Sequence, residues 1–289
     1  MAGGVVPVAK PTGPTSHDVV TRVRQQLGGP RAGHLGTLDP FATGVLVVVV
    51  GRATRLAQFA AAWPKVYEGV IRLGTTTATD DATGAPVATS DAWRDVTSGA
   101  LEVALSRFRG TFAQRPPAFS AVKVAGERAY RRARRGEAVA LAPRPVTVAE
   151  LTVVAFAPPD VRFRASVSAG TYLRSLARDV GEALGCGAHL AALTRTAVGA
   201  FTLADAIAPE AVTWAAVRPA AALVVTLPRR ELSDDERAAV VHGRPLEGGV
   251  AGVEGGTDVA LFHGGELVAV AAAADGALKP RVVLAAPAA

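Results

Sequence analysis

Six consecutive apolar residues, Val45-Leu46-Val47-Val48-Val49-Val50, constrain this chain more than any other segment. A short run of mostly β-branched residues stopped by Gly51 predicts a strand buried on both faces, so the sheet that holds it must carry packed layers on either side. Ahead of it stands Gly33-His34-Leu35-Gly36-Thr37-Leu38-Asp39-Pro40. Gly33 and Gly36 are expected to take backbone angles closed to other residues, and Pro40 fixes its own φ while steering Asp39 away from helix. Asp-Pro alone is ordinary turn chemistry, with the carboxylate bonded to its own backbone. A stiffened loop leading into a buried strand can also hold one carboxylate in place, which makes Asp39 a candidate reactive group.

The surrounding pattern predicts a mixed α/β (α+β) body. Residues 53–62 read as a short helix, 67–73 as an alternating strand, and 75–91, rich in Thr, Asp and Gly, as a loop. Thr97 is placed to cap a helix running to Arg109 and stopping at Gly110. Thr171 is placed to cap another, whose apolar residues Leu173, Leu176, Ala177, Val180 and Leu184 share one face and which ends at Gly185. Strands are expected at 146–156 and 161–167. After about residue 226 a helix capped by Ser233 precedes short strands at 259–262, 267–271 and 282–284, separated by glycine turns. With 289 residues there is length for a large domain, 1–226, and a small one, 227–289.

Charge is unevenly distributed. Between residues 121 and 145 seven basic residues (Lys123, Arg128, Arg131, Arg132, Arg134, Arg135 and Arg144) stand against Glu127 and Glu137, so one segment carries most of the formal +6. The spacing of Arg128, Arg131, Arg132 and Arg135 allows one helical stripe. A stripe of a single charge sign gains little from folding, and a phosphate partner explains it better. From Arg229 onward six basic residues face nine acidic ones, a poor composition for gripping phosphate.

Several chemistries are excluded. Cys186 is the only cysteine, so no intrachain disulfide forms and a reducing compartment is expected. The five histidines are scattered at spacings that make no metal site. No Walker A loop occurs, and Gly185-Cys186-Gly187 follows a helix rather than preceding one, unlike a dinucleotide fingerprint. No stretch reads as a signal peptide or a membrane span, so a cytoplasmic protein is expected.

Taken whole, residues 33–54 resemble the signature of the TruB family of tRNA pseudouridine synthases, which act on uridine 55. Lys10-Pro11-Thr12-Gly13-Pro14-Thr15-Ser16-His17-Asp18 is similar to the family's N-terminal element, and Tyr67 with Leu73-Gly74 and Thr77-Ala78-Thr79-Asp80 to its tyrosine motif. Ser120-Ala121-Val122-Lys123 with Gly126 and Tyr130 resembles its substrate-gripping insertion. Gly170-Thr171-Tyr172-Leu173-Arg174-Ser175 resembles its arginine motif, and Leu193-Thr194-Arg195-Thr196 the element after it.

The resemblance implies a pseudouridine synthase fold, with a central mixed or antiparallel sheet flanked by helices, and a small C-terminal PUA-like β-barrel. It implies an enzyme without a cofactor or metal, acting as a monomer on the T-arm stem-loop of tRNA. In it Asp39 attacks the target nucleotide at C1′ or C6, Arg174 pairs with Asp39, Tyr67 lies against the target base and Leu193 walls its pocket. His34 supports the RNA loop that the base has left, and Lys10 bonds the catalytic loop. Lys123, Arg128, Arg131, Arg132 and Arg135 belong to an RNA-gripping insertion at about residues 115–144. The chain departs from the family at Thr194, where an arginine is common, and at Phe119, where a tyrosine is frequent. Two other readings compete: a non-catalytic RNA-binding or refolding module, and a synthase acting on another RNA. Retention of Asp39, Tyr67 and Arg174 argues against the first, and the basic insertion with the short tail against the second.

Overall fold

The structure, a computed structural model, describes residues 3–120, 122–124, 126–137 and 141–285. The chain opens with β1 (Gly3–Lys10), α1 (Ser16–Gln26), the short β2 (Ala32–His34) and β3 (Thr43–Gly51). There follow α2 (Ala57–Ala60), β4 (Lys65–Leu73), β5 (Thr75–Thr77), β6 (Pro86–Thr89), α3 (Ser98–Ser106) and β7 (Gly110–Gln114). The basic segment holds β8 (Lys123–Val124), β9 (Glu127–Arg128) and α4 (Ala129–Arg134). The long strands β10 (Arg144–Ala157) and β11 (Asp160–Val167) lead to α5 (Leu173–Ala183), β12 (Ala188–Val198), β13 (Phe201–Thr202) and β14 (Arg218–Pro219).

Ten of these strands form one mixed sheet in the order β14-β1-β3-β12-β4-β11-β10-β7, with β2 on β3 and β13 on β12, whereas β5 pairs with β6 and β8 with β9 apart from it. Among the described strands of this sheet, only β3 and β12 pair in parallel. The valine run behaves as its composition demands. Val45, Val47 and Val49 enter one core with Leu56, Trp63 and Val198, whereas Leu46, Val48 and Val50 enter another with Val19, Val20 and Val23 of α1. Each such side chain taken out of water contributes about 1.5–3 kcal/mol, so the strand is held from both faces. A third core, beneath α5, contains Leu173, Leu176, Ala177 and Val180 with Tyr67, Ile71 and Leu193.

The tail contributes β15 (Arg229–Glu231), α6 (Asp234–Val241), β16 (Leu246–Glu247), β17 (Asp258–His263), β18 (Glu266–Ala274) and β19 (Ala277–Val283). Its five strands make a curled sheet, β15-β17-β18-β19-β16, the PUA-like half-barrel. Ser233 caps α6 in a reciprocal box with Glu236, as its sequence predicts. Ala260, Phe262, Val270, Val282 and Leu284 share a core with Val5, Val45 and Val47, so the tail packs against the body rather than hanging from it.

Several local expectations are corrected. Residues 53–62 form a 3₁₀ segment, Arg52–Leu56, before the single turn of α2. The 75–91 stretch is not all loop, because β5 and β6 pair across it. The N-cap of α5 is Tyr172, without a side-chain cap bond. There the buried Gln114 amide accepts from the Tyr172 N–H at 2.8 Å and donates to its carbonyl at 3.1 Å, so a tertiary contact fixes the residue at the cap, and the side-chain cap expected of Thr171 does not form.

The single-sign stripe is also corrected. Arg135 lies beyond the end of α4, and its guanidinium grips both oxygens of Glu127 at 2.7 and 2.8 Å and one of Glu137 at 2.6 Å. Arg132 donates to Glu137 at 2.7 Å. The two glutamates therefore neutralise half of the proposed stripe. Ala121 of the quoted insertion motif lies outside the described residues.

Candidate active site

The Asp39 loop is held by its backbone. Lys10, buried at the end of β1, donates to the carbonyls of Pro11, Pro40 and Ala42 at 3.0, 3.2 and 2.7 Å. The Ser16 hydroxyl at the start of α1 donates to the Leu38 carbonyl at 2.9 Å and accepts its N–H at 2.8 Å. Arg195 on β12 is fully buried, and its guanidinium donates to the carbonyls of Val45, Thr37 and Gly36 at 2.8, 3.3 and 3.0 Å. Five loop carbonyls, those of residues 36, 37, 38, 40 and 42, are thus held from three different elements. Buried carbonyls left without partners would be costly, so these contacts over-determine the loop.

Two glycines matter here. Gly36 has φ +96°, the left-handed region expected of it, whereas Gly33 sits in β2 without a positive φ, contrary to expectation. Gly44 has φ +107°, and a Cβ there would lie 2.2 Å from the Arg195 carbonyl, so only glycine permits the parallel contact of β3 with β12.

Arg174, in the first turn of α5, aims the carboxylate. Its Nε lies 2.9 Å from Asp39 Oδ2 and a terminal nitrogen 3.3 Å from Oδ1, a two-pronged contact. The same guanidinium donates to the carbonyls of Thr79 and Phe119 at 3.0 and 2.9 Å, so the departure from tyrosine at 119 leaves this backbone contact in place. Asp81 stands behind, with Oδ2 3.6 Å from Arg174 Nε. Its other oxygen accepts from the hydroxyls of Thr79 and Thr83, at 2.7 and 2.5 Å, and from the Thr83 N–H at 2.9 Å. Burial pushes the Asp39 carboxyl above the ordinary aspartate value; Arg174 opposes that rise and Asp81 adds to it.

Tyr67 and Leu193 are buried in one core with Leu38 and Ala42, forming the apolar wall beside the loop. His34 lies half-buried on β2; its Nδ1 is enclosed without a hydrogen-bond partner, and burial holds its pKa below the ordinary histidine value. Asp39, Arg174, Lys10, Tyr67 and Leu193 are therefore brought into one region, while Lys123, Arg128, Arg131 and Arg132 sit on a separate hairpin and short helix, with Arg135 just beyond it. Arg131 is exposed. That unit is anchored next to Arg174 through Val122, Ala129 and Leu141, which pack with Tyr172.

Nothing in the sequence by itself singles out Ser16, Asp81 or Arg195. Ser16 and Arg195 stand inside the quoted motifs and Asp81 directly follows one, so proximity to Asp39 was their missing signal. Among the described residues no group of three or more His, Cys, Asp or Glu is placed to hold a metal ion.

Two lysines add a pH dependence. Burial lowers the pKa of Lys65, whose Nζ donates to the Trp63 carbonyl at 2.8 Å, to about 8, and lowers that of Lys10 to about 8 as well. A native pKa below the unfolded one means that the unfolded chain binds more protons between pH 8 and 10.5, so this contribution to stability rises with pH across that window. Wild type is expected to gain stability over Lys65→Met between pH 8 and 10.5 in urea melts. A difference that is flat or falls over that window refutes the assignment.

The family model described as "TruB family pseudouridylate synthase (N terminal domain)" matches residues 24–173, and that of the "tRNA pseudouridylate synthase B C-terminal domain" matches residues 174–228. The tRNA pseudouridine synthase B of Thermobifida fusca (strain YX) is 47% identical over 296 residues, covering 99% of each chain. That of Arthrobacter sp. (strain FB24) is 44% identical over 302 residues, covering 99% of this chain and 97% of its own. Among solved structures, a chain of a Cbf5-Nop10-Gar1 complex superposes with a TM-score of 0.76 at 30% identity, covering 98% of this chain and 85% of that one. A chain of an H/ACA RNP bound to a substrate RNA containing 2'-deoxyuridine gives 0.75 at 28%, covering 99% and 86%. With the Asp39 loop clamped beneath the Arg174 fork and both family models matched in order, the chain belongs to the TruB family of pseudouridylate synthases.

Proposed function

We propose that this protein, acting as a cytoplasmic monomer, isomerises uridine 55 in the T-loop of tRNA to pseudouridine, with Asp39 as the attacking carboxylate. The observation that carries this reading is the two-pronged Arg174–Asp39 contact on a loop whose carbonyls are held from three elements. The reaction breaks the N1–C1′ bond, turns the freed uracil, joins C5 to C1′, removes the proton from C5 and leaves one on N1. Its atoms balance without redox change or nucleotide hydrolysis. It requires a positioned carboxylate, a wall that retains the loose base and a proton acceptor.

Asp39 supplies the first, attacking at C1′ or at C6. Leu193 and the Tyr67 ring supply the wall, and the Tyr67 hydroxyl takes the proton. Flipping the base out of the T-loop costs a few kcal/mol, and His34 offsets part of that by filling the gap. Lys123, Arg128 and Arg131 provide contacts to T-arm phosphates; Arg132 and Arg135 must first leave Glu137 and Glu127.

A guided synthase acting on another RNA is the competing reading, because the named structural neighbours include an H/ACA RNP. The identity of 44–47% to proteins named tRNA pseudouridine synthase B, against 28–30% to those neighbours, favours the stand-alone tRNA enzyme. Incubation of purified protein with unmodified tRNA, without metal, nucleotide or guide RNA, should yield pseudouridine at position 55 on single-base mapping. Product only at other positions, or only with a guide RNA, sinks the proposal.

Tyr67→Phe is expected to slow single-turnover isomerisation by about 10²-fold or more, the range for losing a positioned proton acceptor, while RNA affinity stays close to wild type because the ring survives. Wild-type turnover by the Phe variant would remove the hydroxyl from proton transfer.

A further inference from the structure

Arg31, Arg52 and Arg55 line a shallow cavity of about 310 Å³ together with Gly51 and Thr54. The fold assembles it from two places in the chain. The Gly51 N–H donates to the Arg31 carbonyl at 2.7 Å, which fixes the residue ahead of β2 against the end of β3. Beyond Gly51 the 3₁₀ segment buries Ala53 and Leu56, so Arg52 and Arg55 are left on the solvent side. The Thr54 hydroxyl closes this turn on the Gly51 carbonyl at 2.8 Å.

Among the described residues, none of the three arginines has a carboxylate within ion-pairing distance. Other arginines near the junction with the tail do: Arg218 pairs with Asp205, Arg229 with Glu231 and Arg281 with Asp258. Arg55 donates one nitrogen to the Val283 carbonyl of β19 at 2.7 Å, which ties the cavity to the tail. Three like charges around one cavity repel one another, and among the described residues no carboxylate offsets that repulsion. An anion would.

We propose that this cavity is a second RNA-binding subsite, taking a backbone phosphate of the substrate RNA. The inference rests on the reading that His34 fills the gap left by the flipped uridine, and it extends the RNA path from there. Three residue steps of extended chain lead from His34 to Arg31, about 10 Å, which matches roughly three nucleotides at the rise of a duplex strand. The subsite also accounts for an acidic tail on an RNA enzyme. The tail's acidic module is not the grip; its last strand helps to shape an arginine cavity that belongs to the body.

The test is the double variant Arg31→Ser/Arg52→Ser, with Arg55 retained because it bonds β19. Binding of unmodified tRNA is measured at several salt concentrations, together with single-turnover isomerisation at saturating tRNA. Arg244→Ser, an exposed arginine of the tail, serves as the charge control, and thermal melts verify folding. The double variant should weaken binding about 10-fold and flatten the salt dependence by about 0.7 to 0.9 log unit of slope per lost phosphate contact, with the saturated rate unchanged. An unchanged slope and affinity, an equal effect in Arg244→Ser, or a loss confined to the saturated rate would each overturn the subsite. Because slope is read without turnover, failure of the subsite is distinct from failure of wild type to modify uridine 55.

Discussion

Asp39→Asn is expected to lower isomerisation by at least roughly 10⁴-fold, the scale seen when a covalent catalyst is removed, with tRNA affinity close to wild type. Asparagine keeps the shape of the side chain, and the loop does not depend on the carboxylate. Its carbonyls at 36, 37, 38, 40 and 42 are held by Arg195, Ser16 and Lys10. The substitution therefore isolates the charge and nucleophilicity of one group. Single-turnover rates and binding, measured on the same preparation after a thermal melt, decide the matter. Substantial turnover by the folded Asn variant would remove Asp39 from the chemistry.

The second large effect is expected at Arg174. Arg174→Lys keeps a positive charge but cannot present two parallel donors to Asp39 while also bonding the carbonyls of Thr79 and Phe119. A loss of about 10²–10³-fold in the saturated rate is expected, comparable to removing a preorganised donor from an active site. The charge itself is tested by Arg174→Gln. If Asp39 attacks as a carboxylate, activity is lost as pH falls through a pKa already raised by burial. Removing the opposing cation raises it further, so the acid limb of kcat/KM should move to higher pH in Arg174→Gln. A lysine variant with wild-type turnover, or an acid limb that does not move in the glutamine variant, would show that Arg174 neither aims nor charges Asp39.

The two predictions differ in how far the sequence could anticipate them. Asp39 is legible because backbone chemistry and composition agree: Gly36 takes a left-handed turn, Pro40 stiffens the chain and a doubly buried strand follows. The partnership of Arg174 with Asp39 crosses 135 residues and came only through resemblance to a family; taken alone, a charged residue in the first turn of a helix reads as solvated. Asp81 shows the same limit, since the 75–91 stretch reads as a polar loop until pairing of β5 with β6 frames a turn that aims its carboxylate at Arg174.

What the sequence determined by itself was local. The alternation of Val45, Val47 and Val49 with Leu46, Val48 and Val50 specified a strand covered on both faces, and Ser233 with Glu236 specified the start of α6, because strand period and helix capping act over a few residues. What only the tertiary structure decided was the destination of long cationic side chains. Arg195 and Lys10 lie buried under the Asp39 loop with carbonyls for partners, Arg132 and Arg135 turn to Glu137 and Glu127, and Arg31, Arg52 and Arg55 gather at the far end of β3 without a carboxylate partner among the described residues. A charge interacts with whatever the fold brings within a few ångströms of it, and that neighbourhood is set by sheet order and strand register rather than by the residues beside it in the chain.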